Sequence, residues 1–158
     1  MLDGKIENGS DLTGFTDAFG TIAGSYALAD PAAAASWTRS LPDGPAKTSA
    51  VSGLMNSWLS EDPQSASAWL RDLEPGETRD GGISTLVLTS RTNDPQSAFQ
   101  WAGSVSDPQQ RTRLTRLAAL SWLSIAPDTA PAELRRSNIL TLDEKDRIFA
   151  IHREQQAP

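Results

Sequence analysis

The chain repeats itself every 32 residues, and this recurrence constrains its fold more than any single motif does. Asp-Pro stands at Asp30-Pro31, Asp62-Pro63 and Asp94-Pro95, with Ala126-Pro127 at the next step. Three residues after each proline comes an alanine: Ala34, Ala66, Ala98 and Ala130. Six after the first three prolines comes a tryptophan (Trp37, Trp69, Trp101), and ten after them Leu41, Leu73 and Val105. Four residues before each Asp-Pro or Ala-Pro stand Tyr26, Trp58, Ser90 and Trp122, and four before those Ile22, Leu54, Leu86 and Ala118. All five tryptophans therefore fall on repeat columns.

Each copy reads as two helices. Asp accepts from the exposed N–H groups of a first turn, and Pro at the first helical position loses no hydrogen bond. From there Ala34, Trp37 and Leu41 follow the spacing of one helical face, and Ala66/Trp69/Leu73 and Ala98/Trp101/Val105 repeat it. Leu41-Pro42-Asp43-Gly44, Leu73-Glu74-Pro75-Gly76 and Val105-Ser106-Asp107-Pro108 end these first helices in short turns. The second helix carries Ala50, Val51, Leu54 and Trp58, then Gly82, Ile83, Leu86 and Val87, then Leu114, Leu117, Ala118 and Trp122. Helices shorter than roughly 12–15 residues are marginal alone, so each pair must bury its face on its neighbours. Stacked pairs predict an all-α, right-handed superhelical solenoid of about four helix-turn-helix repeats. Its core would be Trp37, Trp58, Trp69, Trp101, Trp122, Leu41, Leu54, Leu73 and Leu86, with Ala34, Ala66 and Ala98 letting helices approach closely.

The ends differ from the middle. Residues 1–16 read as a flexible polar segment, and a helix starting at Thr16 or Asp17 would run to Leu28. The repeat domain spans 17–140. In its fourth copy Glu133 takes the tryptophan column and Ser137 the leucine column. Thr141-Leu142-Asp143-Glu144 is a capping box that opens a last, charged helix through about Gln155, so 141–158 reads as a capping helix and tail.

Around Asp62-Pro63 the run to Leu73, with Ala66 and Trp69, resembles the tetratricopeptide pattern at a repeat junction. Asp30–Leu41 and Asp94–Val105 look like weaker versions, and the resemblance covers about residues 17–139. The period is 32 rather than that family's 34, the small residue and tyrosine of its first helix are missing, and Pro42, Pro75 and Pro108 sit in the turns. The chain thus resembles a divergent tetratricopeptide-like or HEAT-like α-solenoid. Such families are mostly adaptors, so the resemblance implies a protein or peptide partner held on a concave face.

Composition narrows the chemistry. The chain has 158 residues, enough to bury about two thirds of its unfolded surface in one domain. It has no cysteine and one histidine, which excludes disulfides, thiolate or histidine-cluster metal sites and cysteine nucleophiles. A net charge of −6 opposes nucleic acid and anionic membrane surfaces. Neither a secretory leader nor a membrane-spanning run is evident, so the expectation is a soluble protein, cytoplasmic rather than periplasmic.

His152 sits among Arg147, Arg153 and Glu154 and reads as an exposed residue, not a general base. Asp30, Asp62 and Asp94 read as helix caps, not paired acids. No phosphate loop, nucleophile elbow or metalloprotease motif is present. Neither enzyme activity nor a metal or cofactor is expected. Lys47, Arg79 and Arg111 form a basic column at the same period. They are either ion-paired to Asp43, Glu74, Asp107 or a neighbouring repeat, or simply solvated, or else a ladder that recognises an acidic partner. The expected function is a non-enzymatic protein-interaction or scaffold module. The alternative is a regulatory or spacer domain of a larger signalling or membrane-linked protein.

Overall fold

A computed structural model describes residues 9–157, with side chains from Phe15 onward. Among the described residues there are nine helices and no strand. They are α1 (Gly9–Ala29), α2 (Pro31–Ser40), α3 (Pro45–Glu61), α4 (Pro63–Arg71), α5 (Glu77–Ser90), α6 (Pro95–Gly103), α7 (Pro108–Ile125), α8 (Ala130–Arg136) and α9 (Leu142–Gln156).

The recurring residues build recurring joints. The Asp30, Asp62 and Asp94 carboxylates accept from the N–H groups of Ala33, Ser65 and Ser97 at 2.9, 3.1 and 3.1 Å. Each following proline opens α2, α4 or α6 without forfeiting a backbone bond. Just upstream, the N–H of Asp30, Asp62, Asp94 and Ala126 donates to the carbonyl of Tyr26, Trp58, Ser90 and Trp122 at 2.7–2.9 Å. The short helices close alike: Leu41, Leu73 and Val105 each donate to the carbonyl three residues back, at 3.3 Å. Gly44 and Gly76, at φ 143° and 149°, then lead into α3 and α5 with a backbone only glycine adopts readily. In the third copy the next step is Pro108, and Asp107 caps α7 instead, accepting from the Gln110 N–H at 2.7 Å.

The chain divides into two compact units, Met1–Trp69 and Leu70–Pro158. In the first, α1, α2 and α3 pack on one another. The α1–α3 crossing is unusually close because glycine faces glycine. A Cβ on Gly53 would run into the backbone of Gly20, and one on Gly24 would lie 3.2 Å from the Gly53 carbonyl oxygen and the Ser57 hydroxyl. Ala23, Ala27, Ala50, Val51, Leu54 and Met55 are buried in this unit. In the second unit α6 packs on both α5 and α7, and α7 also carries α8 and α9. Its core holds Ile83, Leu86, Val87, Phe99, Leu114, Ala118, Leu123 and Leu134.

The start expected at Thr16 or Asp17 lies inside α1, which extends back to Gly9. No proline interrupts 9–16, and Leu12, Phe15 and Phe19 already keep helical spacing. Residues 1–8 of the expected N-terminal segment fall outside the described residues. The last helix opens on the expected capping box, with Thr141 and Glu144 bonded reciprocally. No helix among the described residues is long and apolar enough to cross a membrane.

Candidate functional site

The alanine column is sealed: Ala34, Ala66, Ala98 and Ala130 have no exposed surface. Leu54, Leu86, Trp58 and Trp122 are buried as well. Trp37, Trp69 and Trp101 are only half-buried, as are Leu41 and Leu73, so these are rim rather than core residues. The reason is positional. Each of these tryptophans lies three residues past the sealed alanine, to one side of the buried stripe, where one ring face can meet a neighbour while the other meets solvent.

Their partners recur. Trp37 lies 6.5 Å from Tyr26 at an interplanar angle of 57°, and Trp69 lies 6.2 Å from Trp58 at 51°. Both pairs join a second-helix aromatic to the tryptophan eleven residues on. Arginine then covers tryptophan at the same period. The Arg39 guanidinium sits 5.8 Å from the Trp69 ring centroid, and Arg71 sits 5.6 Å from that of Trp101. The arginine component is not apparent from the apolar columns alone; the 32-residue step between Arg39 and Arg71 was its available signal.

The basic column is largely engaged within the fold. Lys47 forms an ion pair with Asp43 at 3.0 Å, one turn back, and its side chain is mostly covered. Arg111 donates to the Val105 carbonyl at 2.9 Å. Arg79 is half-buried, and its Nε is buried without a hydrogen-bond partner. His152 is half-buried rather than exposed, its Nε2 lying 2.9 Å from the Gln156 amide nitrogen. It borders a shallow space of about 190 Å³ with Arg135, Phe149 and Arg153. Among the described residues no group of three or more His, Cys, Asp or Glu is placed to hold a metal ion.

One carboxylate went unnoticed in the sequence. Asp80 is 2% exposed. It accepts from the Ser106 N–H at 2.9 and 3.0 Å and from the Asp107 N–H at 3.0 Å, while Gln110 donates to its backbone carbonyl at 3.3 Å. It fastens α5 to the turn that opens α7. The corresponding residues of the other copies, Thr48 and Thr112, carry no carboxylate, so the repeat gives no hint of it.

One feature that could take a ligand lies in the second unit, where the repeat pattern fails. An open groove of about 320 Å³ runs over Phe99 and Trp122, with Gln96, Gln100, Glu133 and Arg136 among its lining residues. Beneath it Phe99 has no exposed surface and Trp122 only 5%, their rings meeting at 5.9 Å and 46°, so the groove presents mainly its rim to solvent. The rim is polar and charged, and Glu133 and Arg136 face each other at 3.1 Å, the arginine side chain largely in solvent and the glutamate about half. Ile139 closes one end, its side chain packed on Gly103 where a Cβ would come within 2.8–3.0 Å.

Comparison with protein-family models, with curated proteins and with solved structures gives no match for this chain.

Proposed function

We propose that this chain is a non-enzymatic protein-binding module built of helical repeats, a right-handed α-α solenoid with a divergent tetratricopeptide-like or HEAT-like unit. Recurring caps, turns and Arg–Trp contacts at 32-residue intervals support the repeat. The groove over Phe99 and Trp122 is the observation that carries the binding function. It is a concave surface with amide and charged groups on its rim, unlike a surface that only spaces other domains. Catalysis has little to draw on: cysteine is absent, the lone histidine's Nε2 lies against the Gln156 amide, and Asp30, Asp62, Asp94 and Asp80 are engaged with backbone N–H groups. The acidic chain suits a protein or peptide partner rather than nucleic acid.

Selection of random twelve-residue peptides against the purified full chain tests this directly. The module should enrich peptides that compete with one another for a single face, with affinities on the order of micromolar. Failure of every pool to enrich a binder would contradict it.

A further inference from the structure

The first long helix leaves open a face that its counterparts close. We propose that the exposed apolar side of α1 seats a short amphipathic helix of a partner protein, one with a small residue on its contact side and neutral or basic edges. The proposal rests on the helical-repeat reading and concerns a surface separate from the groove.

Equivalent positions carry the inference. Ile22 stands in the column of Leu54, Leu86 and Ala118, and Phe19 in that of Val51, Ile83 and Thr115. Those counterparts are at most 3% exposed, whereas Ile22 is 51% exposed and Phe19 half-buried. Tyr26 is 40% exposed where Trp58 and Trp122 are 8% and 5%. Phe15 takes the place that Lys47, Arg79 and Arg111 fill in later copies, and it is 66% exposed. Spacings of four, three and four residues put Phe15, Phe19, Ile22 and Tyr26 on one face of α1. Together they leave on the order of 300 Å² of apolar side chain in water, the size of a typical protein's largest apolar patch, which is often functional.

The neighbours of those counterparts say what kind of cover fits. α3 packs on the short helix before it, α2, and α7 on the one before it, α6. Among the described residues no short helix precedes α1. α3 also meets a long helix, α1 itself, through Ser49, Gly53 and Ser57. The corresponding residues of α1 are Asp17, Thr21 and Ser25, all polar and exposed. α1 is therefore finished for water where a long helix would pack and apolar where a short one would. Ala34 of α2 and Ala98 of α6 have no exposed surface, and a seat of the same kind asks for a similarly small residue in its occupant.

Charge selects among occupants. The only charged residues from Gly9 to Ala29 are Asp11 and Asp17, in a chain of net charge −6. A second copy would set acidic helix against acidic helix, while a neutral or basic helix is drawn in.

The test uses the full chain, ¹⁵N-labelled, and a blocked peptide with the sequence of residues 30–41, the chain's own short-helix unit, followed by two lysines. One counterpart ends in two glutamates, and another carries the Ala34→Glu change. The lysine peptide should shift the backbone amides of Phe19, Ile22 and Tyr26 saturably, with a dissociation constant on the order of 0.1–1 mM because a short helix must be ordered as it binds. The glutamate-tailed peptide should bind several-fold more weakly, with the gap closing at high salt, and the Ala34→Glu peptide should leave the amides in place. In the protein, Ile22→Glu should abolish the shifts with Tm within about 3 °C of the parent, since the side chain is exposed. Phe15→Ser, a milder change on the same face, should weaken binding several-fold. Leu88→Glu, at an exposed apolar residue of the second unit, should leave it unchanged. Silent α1 amides, an equal response to the Ala34→Glu or the glutamate-tailed peptide, or undiminished binding by Ile22→Glu and Phe15→Ser would each overturn the proposal. So would sedimentation showing a dimer that Ile22→Glu dissolves, which would give the face to a second copy. Shifts confined to the Gln96 and Gln100 side-chain amides would sink this inference and leave the binding function of the groove standing. Shifts in α1 alone, with no display-selected peptide reaching the groove, would do the reverse.

Discussion

Glu144 shows how one side chain reports on its helix. Its carboxyl is held below the usual glutamate range, chiefly by the Thr141 backbone N–H at 2.8 Å, with the Thr141 and Thr112 hydroxyls assisting. A carboxylate whose pKa is lower in the folded than in the unfolded chain adds stability above its unfolded value, about 4.3. That contribution is lost as pH falls through the folded value. Replacing Glu144 with Gln should therefore lower Tm at pH 7, and the gap from the parent should close in acid, which thermal melts across pH will read. Asp62 is also held low, first by the Ser65 hydroxyl and then by the Ser65 N–H, so its cap follows the same sign. Asp80 works differently, through position. Asp80→Ala leaves the Ser106 and Asp107 N–H groups without their acceptor, at a cost of about 1–3 kcal/mol. Tm should drop and those two amides should exchange faster with deuterium; unchanged exchange would deny the clamp. Such a contact, 26 and 27 residues apart, leaves no trace in local spacing, whereas Asp30, Asp62 and Asp94 announce themselves through the proline beside each.

At the scale of the element, helix starts and stops were legible because they depend on a few residues acting locally: Asp-Pro, the turn glycines, the Thr141–Glu144 box. What a helix packs on was less so. The α1–α3 crossing depends on Gly20, Gly24 and Gly53, which lie off the 32-residue columns and draw notice only once the two helices are seen face to face. Alanine at Gly53 would gain about 1 kcal/mol of helix propensity. Its Cβ meets the Gly20 backbone, however, and backbone cannot rotate away as a side chain can. Net destabilisation of about 1–3 kcal/mol is expected, with Tm falling about 2–4 °C for each. Gly103→Ala meets only the Ile139 side chain and should cost less. Equal or reversed effects in the two variants would contradict the close crossing. Partial burial of Trp37, Trp69 and Trp101 has the same origin, since helical spacing assigns a residue to a face without saying how deep the neighbour reaches.

Across the whole molecule, the all-helical fold followed from the period, and so did the positions of the caps; the aromatic pairs did not. The groove did not, although its cause was visible as Glu133 in a tryptophan column. A departure from a repeat says that something is missing, and only coordinates say whether neighbours have filled the gap. Ile139 covers Gly103, and Phe99 packs on Trp122, which is only 5% exposed. Everything depends on equivalent columns making equivalent contacts. Double-mutant cycles on Tyr26–Trp37 and Trp58–Trp69, each residue replaced by leucine singly and together, measure that equivalence through coupling energies from denaturant unfolding. Both pairs should couple favourably by about 0.5–1.5 kcal/mol. Additive effects in either pair would mean that the recurrence in sequence is not a recurrence in structure.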